Sequence, residues 1–157
     1  MKFITLAVLA SLSLSAFSAT SDDLKLKGKV PKKLSIKVTQ LQIATDLDLE
    51  ASPNDMVIAS VEENSNSNVG YKISAQSLNG GVLKNPAAGS VPVSYSLSYD
   101  GIGFTLPATG SVEVKNEGTS GVYNTSSDIG ITYVGADHET RVEGSYTDTV
   151  TFTIATN

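Results

Sequence analysis

The fold is decided by the stretch Val91-Pro92-Val93-Ser94-Tyr95-Ser96-Leu97-Ser98-Tyr99-Asp100-Gly101. Apolar or aromatic residues alternate with serine along it, and alternate side chains of an extended chain point to opposite faces. The closing pair Asp100-Gly101 favours a tight hairpin turn with positive φ. The stretch therefore predicts a half-buried antiparallel strand that ends in a turn.

Segments of the same kind recur along the chain. They cover residues 34–38, 56–61, 69–75, 129–134 and 149–154. Turn residues separate them, namely Asn79-Gly80-Gly81, Asn116-Glu117-Gly118 and Gly135-Ala136-Asp137. Short strands separated by such turns predict an all-β fold, an antiparallel β-sandwich. We expect little helix, with one short turn within residues 45–55.

The chain begins with a stretch typical of a signal peptide. Lys2 is followed by an apolar run over residues 3–14, and Ala16-Phe17-Ser18 supplies small residues for cleavage after Ser18 or Ala19. The run is too short to anchor the protein in a bilayer. We therefore expect an exported protein that passes through the periplasm and is not embedded in the membrane.

The absence of cysteine excludes some classes of function. None of the 157 residues is cysteine, so thiol catalysis and cysteine-bound metals are excluded. An exported domain without disulfides depends on packing and on the hydrogen bonds of its sheets. Removing 19 of the 157 residues leaves 138, which is the size of one domain.

Charge is distributed unevenly along the chain. Six of the eleven basic residues lie between Lys25 and Lys37, whereas the chain as a whole carries a net charge of −5. A basic arm can indicate nucleic acid, but export argues against that partner. Two interpretations remain open: the arm is steered onto the acidic body of another copy, or its lysines protect an edge strand from aggregation.

Residues 24–30 form the most basic alternating segment. Leu24, Leu26 and Val30 share one face of an extended chain with Gly28, and the other face carries only lysine. Pro31 separates this segment from the next alternating one, since proline interrupts a strand ladder.

The chain offers little for catalysis. Its single histidine, His138, lies between two acids in a predicted loop, and no Gly-x-Ser-x-Gly motif accompanies it. We expect a solvated surface histidine, no enzyme activity and no cofactor.

Two other patterns allow a binding function. Asp46, Asp48 and Glu50 alternate with leucines, so they would share a strand face that could collect calcium, or they would be the outer face of a half-buried strand. The six tyrosines could form a sugar-stacking platform, or they could lie at the boundary of the core.

The last strand is preceded by a spaced motif. Gly144, Tyr146 and Asp148 lead into Val150, Phe152 and Ile154, which share one face, while threonines share the other. Such a strand is either a plain sandwich edge or the rim of a groove that accepts a strand.

Taken with residues 24–30, this motif resembles bacterial pilus subunits of the chaperone–usher type, including the spore coat protein U-like subunits. Asn68-Val69-Gly70-Tyr71-Lys72-Ile73 resembles a mid-domain pattern of the same group. The chain differs from many members in having no cysteine pair, and in having Thr156 where a tyrosine is common.

The resemblance implies an immunoglobulin-like antiparallel β-sandwich that lacks one strand. Leu24, Leu26, Gly28 and Val30 would be the donor strand, and Gly144, Tyr146, Val150, Phe152 and Ile154 would form the terminal strand and acceptor groove. The domains would be a signal peptide (1–19), a donor-like segment (20–31) and a sandwich (32–157).

The function implied is that of a structural subunit of a surface fibre, a pilus or fimbria, which polymerises by donor-strand exchange. Its partners would be other copies of itself or related subunits, a periplasmic chaperone and an outer-membrane usher. The alternative is a secreted, self-complete β-sandwich that binds carbohydrate or another surface ligand.

Overall fold

The computed structural model describes residues 20–157, so the predicted signal peptide lies outside the described residues. The chain divides into two units, Met1–Val30 and Pro31–Asn157. The strands of the second unit are β1 (Leu34–Gln40), β2 (Met56–Ser65), β3 (Tyr71–Ser77), β4 (Val82–Leu83), β5 (Val93–Tyr99), β6 (Ile102–Phe104), β7 (Val112–Glu117), β8 (Tyr123–Tyr133) and β9 (Val150–Thr156). Short 3₁₀ turns cover Gln42–Thr45 and His138–Thr140.

The strands form two antiparallel sheets. The larger sheet has the order β1-β2-β8-β5-β4, with β6 also paired to β5, and the smaller sheet has the order β7-β3-β9. The sheets pack together around one apolar core. This confirms the prediction of an all-β antiparallel sandwich.

Alternation along the strands builds that core. Tyr71, Ile73 and Ala75 of β3 are fully buried, as the period of two requires when one face of a sheet is covered. The inward residues of β5 and β8 join them, namely Val93, Tyr95, Leu97, Tyr99, Ile129, Ile131 and Tyr133.

The turn after β5 has the predicted geometry. Asp100 and Gly101 have φ values of 52° and 77°, and Tyr99 pairs with Ile102 across them. Two consecutive residues with positive φ match the right-handed twist of the flanking strands.

The prediction of a short helical turn within residues 45–55 is wrong. The 3₁₀ turns lie at Gln42–Thr45 and at His138–Thr140, where the Asp137 carboxylate accepts a hydrogen bond from the backbone N–H of Glu139. A side-chain acceptor at this position hydrogen-bonds to a backbone N–H group that has no partner within the first turn of a helix.

Two strands, β2 and β8, extend by four or more residues beyond the predicted bounds. β2 continues to Ser65 and β8 begins at Tyr123, because the polar ends of these strands pair with each other. Strands β4, β6 and β7 were not predicted, because they are short or polar.

Candidate functional site: an open groove beside the last strand

Strand β9 is an edge of the smaller sheet. It pairs with β3 from Tyr71 opposite Thr156 to Ser77 opposite Val150, and no strand of the described residues pairs with its other side. The backbone groups on that side are therefore free to pair with an added strand.

An open groove of about 460 Å³ lies between β9 and the inner face of the larger sheet. Its walls come from β1, β2, β4, β5, β8, β9 and the segment that follows β1, and most of its lining is apolar. Representative lining residues are Val38, Ile58, Leu97, Ile131, Val150 and Phe152. Gln40, Asp148 and Thr149 add polar groups to the lining.

The groove leaves apolar surface uncovered. The inward residues of β3 are fully buried, whereas Val150, Phe152 and Ile154 of the neighbouring β9 are only half-buried. Val38, on the β1 wall, is 42% exposed. Covering such surface is favourable by about 25 cal/mol per Å², so the groove is a place where a further apolar strand would be stabilised.

Asp148 fixes the start of β9. Its Oδ2 atom accepts hydrogen bonds from Ser77 Oγ at 2.5 Å and from Tyr95 Oη at 2.6 Å. Its Oδ1 atom accepts from the backbone N–H groups of Asn79 and Thr149, at 3.0 and 2.7 Å. Burial and the neighbouring carboxylate both raise the pKa of Tyr95 well above its usual range.

Gly144 and Tyr146 position the chain before β9 and do not line the groove. Gly144 has a φ of 130°, and a Cβ there would lie 2.9 Å from Asn85 Nδ2. That amide donates to the carbonyl of Glu143 at 3.1 Å. Tyr146 Oη donates to the carbonyl of Val142 at 2.9 Å. Of the predicted acceptor residues, the structure places Val150 and Phe152 in the groove wall and Ile154 farther along the same face of β9.

The predicted donor residues lie in the other unit. Residues 20–30 form no strand, and the side chains of Leu24, Leu26 and Val30 are 85%, 86% and 81% exposed. No atom lies within 4 Å of a Cβ placed on Gly28. The alternating segment therefore has an uncovered apolar face.

A buried carboxylate, which the sequence did not reveal, occupies another part of the interior. Glu63 is fully buried and accepts from Tyr71 Oη at 2.5 Å, Tyr99 Oη at 2.6 Å and Lys115 Nζ at 2.8 Å. Ser127 and Thr125 donate to the same carboxylate. Burial works to raise the pKa of Glu63, but these donors outweigh it and hold the pKa below its usual value. The pKa values of Tyr71 and Tyr99 are raised by burial and by Glu63.

This cluster is a structural one. Each carboxylate oxygen is saturated by donors, and the charge is balanced by Lys115. A buried charge that is paired and fully hydrogen-bonded is tolerated in a core. The only sequence signal was the period of two in β2, which puts Glu63 on the same face as Val61 and Ser65.

The acidic run does not form the predicted strand face. Residues 46–50 contain no strand, Asp48 accepts from the backbone N–H of Glu50, and Glu50 pairs with exposed His138 at 2.7 Å. Within residues 20–157, no group of three or more such side chains is arranged to hold a metal ion.

No known protein-family model matches the sequence, and no curated protein matches it either. Within residues 20–157, no helix has the length and apolar character needed to cross a membrane.

Proposed function

We propose that this protein is a structural subunit of a bacterial surface fibre and that it polymerises by strand donation. The observation that carries the proposal is the open apolar groove beside the free edge of β9. The chain also supplies a suitable occupant, the exposed alternating segment of residues 24–30. These features support an immunoglobulin-like sandwich that lacks one strand, and membership of the chaperone–usher group.

In the proposed assembly, residues 24–30 of one copy enter the groove of the next. The segment has seven residues, as does β9, so it matches the edge in length. Main-chain hydrogen bonds to β9 give affinity, and alternate side chains in the groove give specificity. Burying Leu24, Leu26 and Val30 contributes on the order of 5 kcal/mol.

The same geometry explains why a fibre forms. The donor segment and the groove are different surfaces of the molecule, so the contact is heterologous and does not close into a dimer. A groove that is empty before assembly exposes apolar surface, which favours aggregation. We propose that a periplasmic chaperone covers it in transit and that an outer-membrane usher exchanges the chaperone for the next subunit.

The alternative, a self-complete carbohydrate-binding sandwich, has less support. Tyr71, Tyr95, Tyr99 and Tyr133 are buried, and their hydroxyl groups are hydrogen-bonded within the protein. They therefore do not form an exposed platform for stacking on sugars.

The test compares polymer formation by the full chain and by a Leu24→Asp/Leu26→Asp variant. We expect fibres from the parent and monomers from the variant, because a carboxylate in the groove would be desolvated without a partner. A peptide of residues 22–30 should raise the Tm of the variant, and the same peptide with both leucines replaced by aspartate is its control. Polymerisation of the variant at the parent's rate would overturn the proposal.

A further inference from the structure

The outer face of the small sheet is neutral to basic in its central rows. On β9 the outward residues are Thr151, Thr153 and Ala155, and on β3 they are Lys72, Ser74 and Gln76. Neither row contains an acid. The acids of this sheet are both on β7: Glu113 lies opposite Ser74 and accepts from Asn116 Nδ2 at 3.0 Å, and Glu117 lies opposite Tyr71.

We propose that strand donation converts this face into a binding site for an anionic polysaccharide, with sulfate or carboxylate groups as the recognised chemistry. The inference rests on the proposed function, because the cations come from a second copy. The site exists only where residues 24–30 fill the groove.

The geometry follows from the period of a strand. If Leu24, Leu26 and Val30 enter the groove, then Lys25, Lys27 and Lys29 must point outward. Their side chains would be spaced by about 6.7 Å in a row about 4.8 Å from the threonines of β9. Together with Lys72, they place four cations around two rows of hydroxyl and amide groups.

The composition of the face favours a polysaccharide over other polyanions. The two rows contain no aromatic side chain on which bases could stack. They also contain no large apolar residue that could insert into a bilayer. Hydroxyl and amide groups can hydrogen-bond to sugar hydroxyls, and the lysines attract the anionic groups.

The charge of the rest of the chain directs an anionic polymer to the lysine row. The chain has a net charge of −5, so its overall charge repels an anionic polymer. By the same period of two, Asp23 lies on the lysine face at the end of the row, next to Lys25, and Asp22 lies on the opposite face.

The experiment measures binding of preformed fibres to immobilised heparin, with dextran as the neutral control. Fibres of the full chain are compared with fibres of a K25Q/K27Q/K29Q variant. The matched control is K32Q/K37Q/K84Q, which removes the same charge from other exposed positions. Fibre formation is scored first, by electron microscopy.

We expect the parent and the control fibres to bind heparin within about threefold of each other, and the K25Q/K27Q/K29Q fibres to bind at least about tenfold more weakly. The affinity of the parent should fall steeply with salt, as screening requires. Equal binding by both triple variants would overturn the inference and leave the proposed function standing. Binding to double-stranded DNA as tight as to heparin would also overturn it.

A second variant separates the site from polymerisation. In it, residues 22–30 are moved behind Asn157 through a flexible linker, so that the chain fills its own groove. We expect this monomer to bind heparin only when its three lysines are present. A folded monomer that fails to bind would overturn the inference, and failure of the parent to form fibres would overturn the proposed function and this inference together.

Discussion

The two ends of the sandwich interior are built from the same strands but are completed differently. At the polar end, β2, β5 and β8 contribute Glu63, Tyr99 and Ser127 to a saturated, buried cluster. At the groove end, the same strands contribute Ala59, Leu97 and Ile131 to a wall that is left open. Phe152 of β9 reaches from the groove to the Tyr99 ring, with centroids 6.1 Å apart.

The difference shows where each end obtains its stability. The polar end brings a charge into the core but supplies every partner within the chain, so it is complete in the monomer. The groove end has apolar surface, and no strand of the described residues pairs with the second edge of β9, so under the proposed function an added strand completes it. Substitutions at the polar end should therefore affect the monomer, and those in the groove should affect assembly.

The largest effect is expected at the polar end. Replacing Glu63 with alanine leaves Lys115 and two tyrosine hydroxyls without their acceptor, and should lower the free energy of unfolding by about 3–5 kcal/mol. Urea denaturation of the monomer measures it. The control is Glu62→Ala on the exposed face of β2, which should change stability by less than about 1 kcal/mol. Equal effects of the two substitutions would show that the cluster is not structural.

In the groove, replacing Phe152 with alanine should lower the stability of the monomer slightly and slow polymerisation strongly. Because the ring is only half-buried, the monomer should lose about 2 kcal/mol, less than a fully buried phenylalanine would cost. Polymerisation, followed by light scattering, should slow by at least about tenfold, since the donor loses a partner. Thr153→Ala, on the outward face of β9, is the control and should polymerise normally. A Phe152→Ala variant that assembles like the parent would place the donor elsewhere.

The stability that the polar end contributes should depend on pH. The pKa of Glu63 is lower in the folded protein than its ordinary value of 4.5, so its contribution is complete above pH 4.5. It is lost as the pH falls through the lowered folded value, because protonation then favours the unfolded chain. We expect the stability of the parent to fall more steeply below pH 4.5 than that of a Glu63→Gln variant. Identical pH profiles would mean that Glu63 does not titrate as described.

The smallest effect concerns the approach to β9. Gly144→Ala forces an alanine into positive φ against Asn85, and should cost about 1 kcal/mol in thermal unfolding. Gly118→Ala is its matched control near the polar end, because a Cβ there meets no atom within 4 Å. Loss of stability in both variants alike would point to a general effect of replacing glycine.

Much of the fold could be predicted because its strands alternate. The run ending at Asp100-Gly101 and the face of Val150, Phe152 and Ile154 are local patterns, and the structure has both as strands. The alternation of residues 24–30 was equally visible, but the structure has no strand there.

The features that were missed depend on distant contacts. From the sequence, Glu63 has the pattern of an ordinary surface acid beside Glu62. The pairing of β2 with β8 brings Ser127 to it, and the packing of the two sheets brings Lys115 to it. β7 is polar and was not predicted, since its strand character comes from pairing with β3. Asp46, Asp48 and Glu50 alternate like a strand, yet the chain turns there and Glu50 instead pairs with His138.

The central claim is that β9 accepts a strand, and hydrogen exchange tests it most directly. The amides of β9 and β7, the two edges of the small sheet, are compared in the Leu24→Asp/Leu26→Asp monomer with and without the peptide of residues 22–30. We predict that exchange slows at the free edge of β9 and stays unchanged in β7. Unchanged exchange in β9, or equal slowing at both edges, would contradict the account.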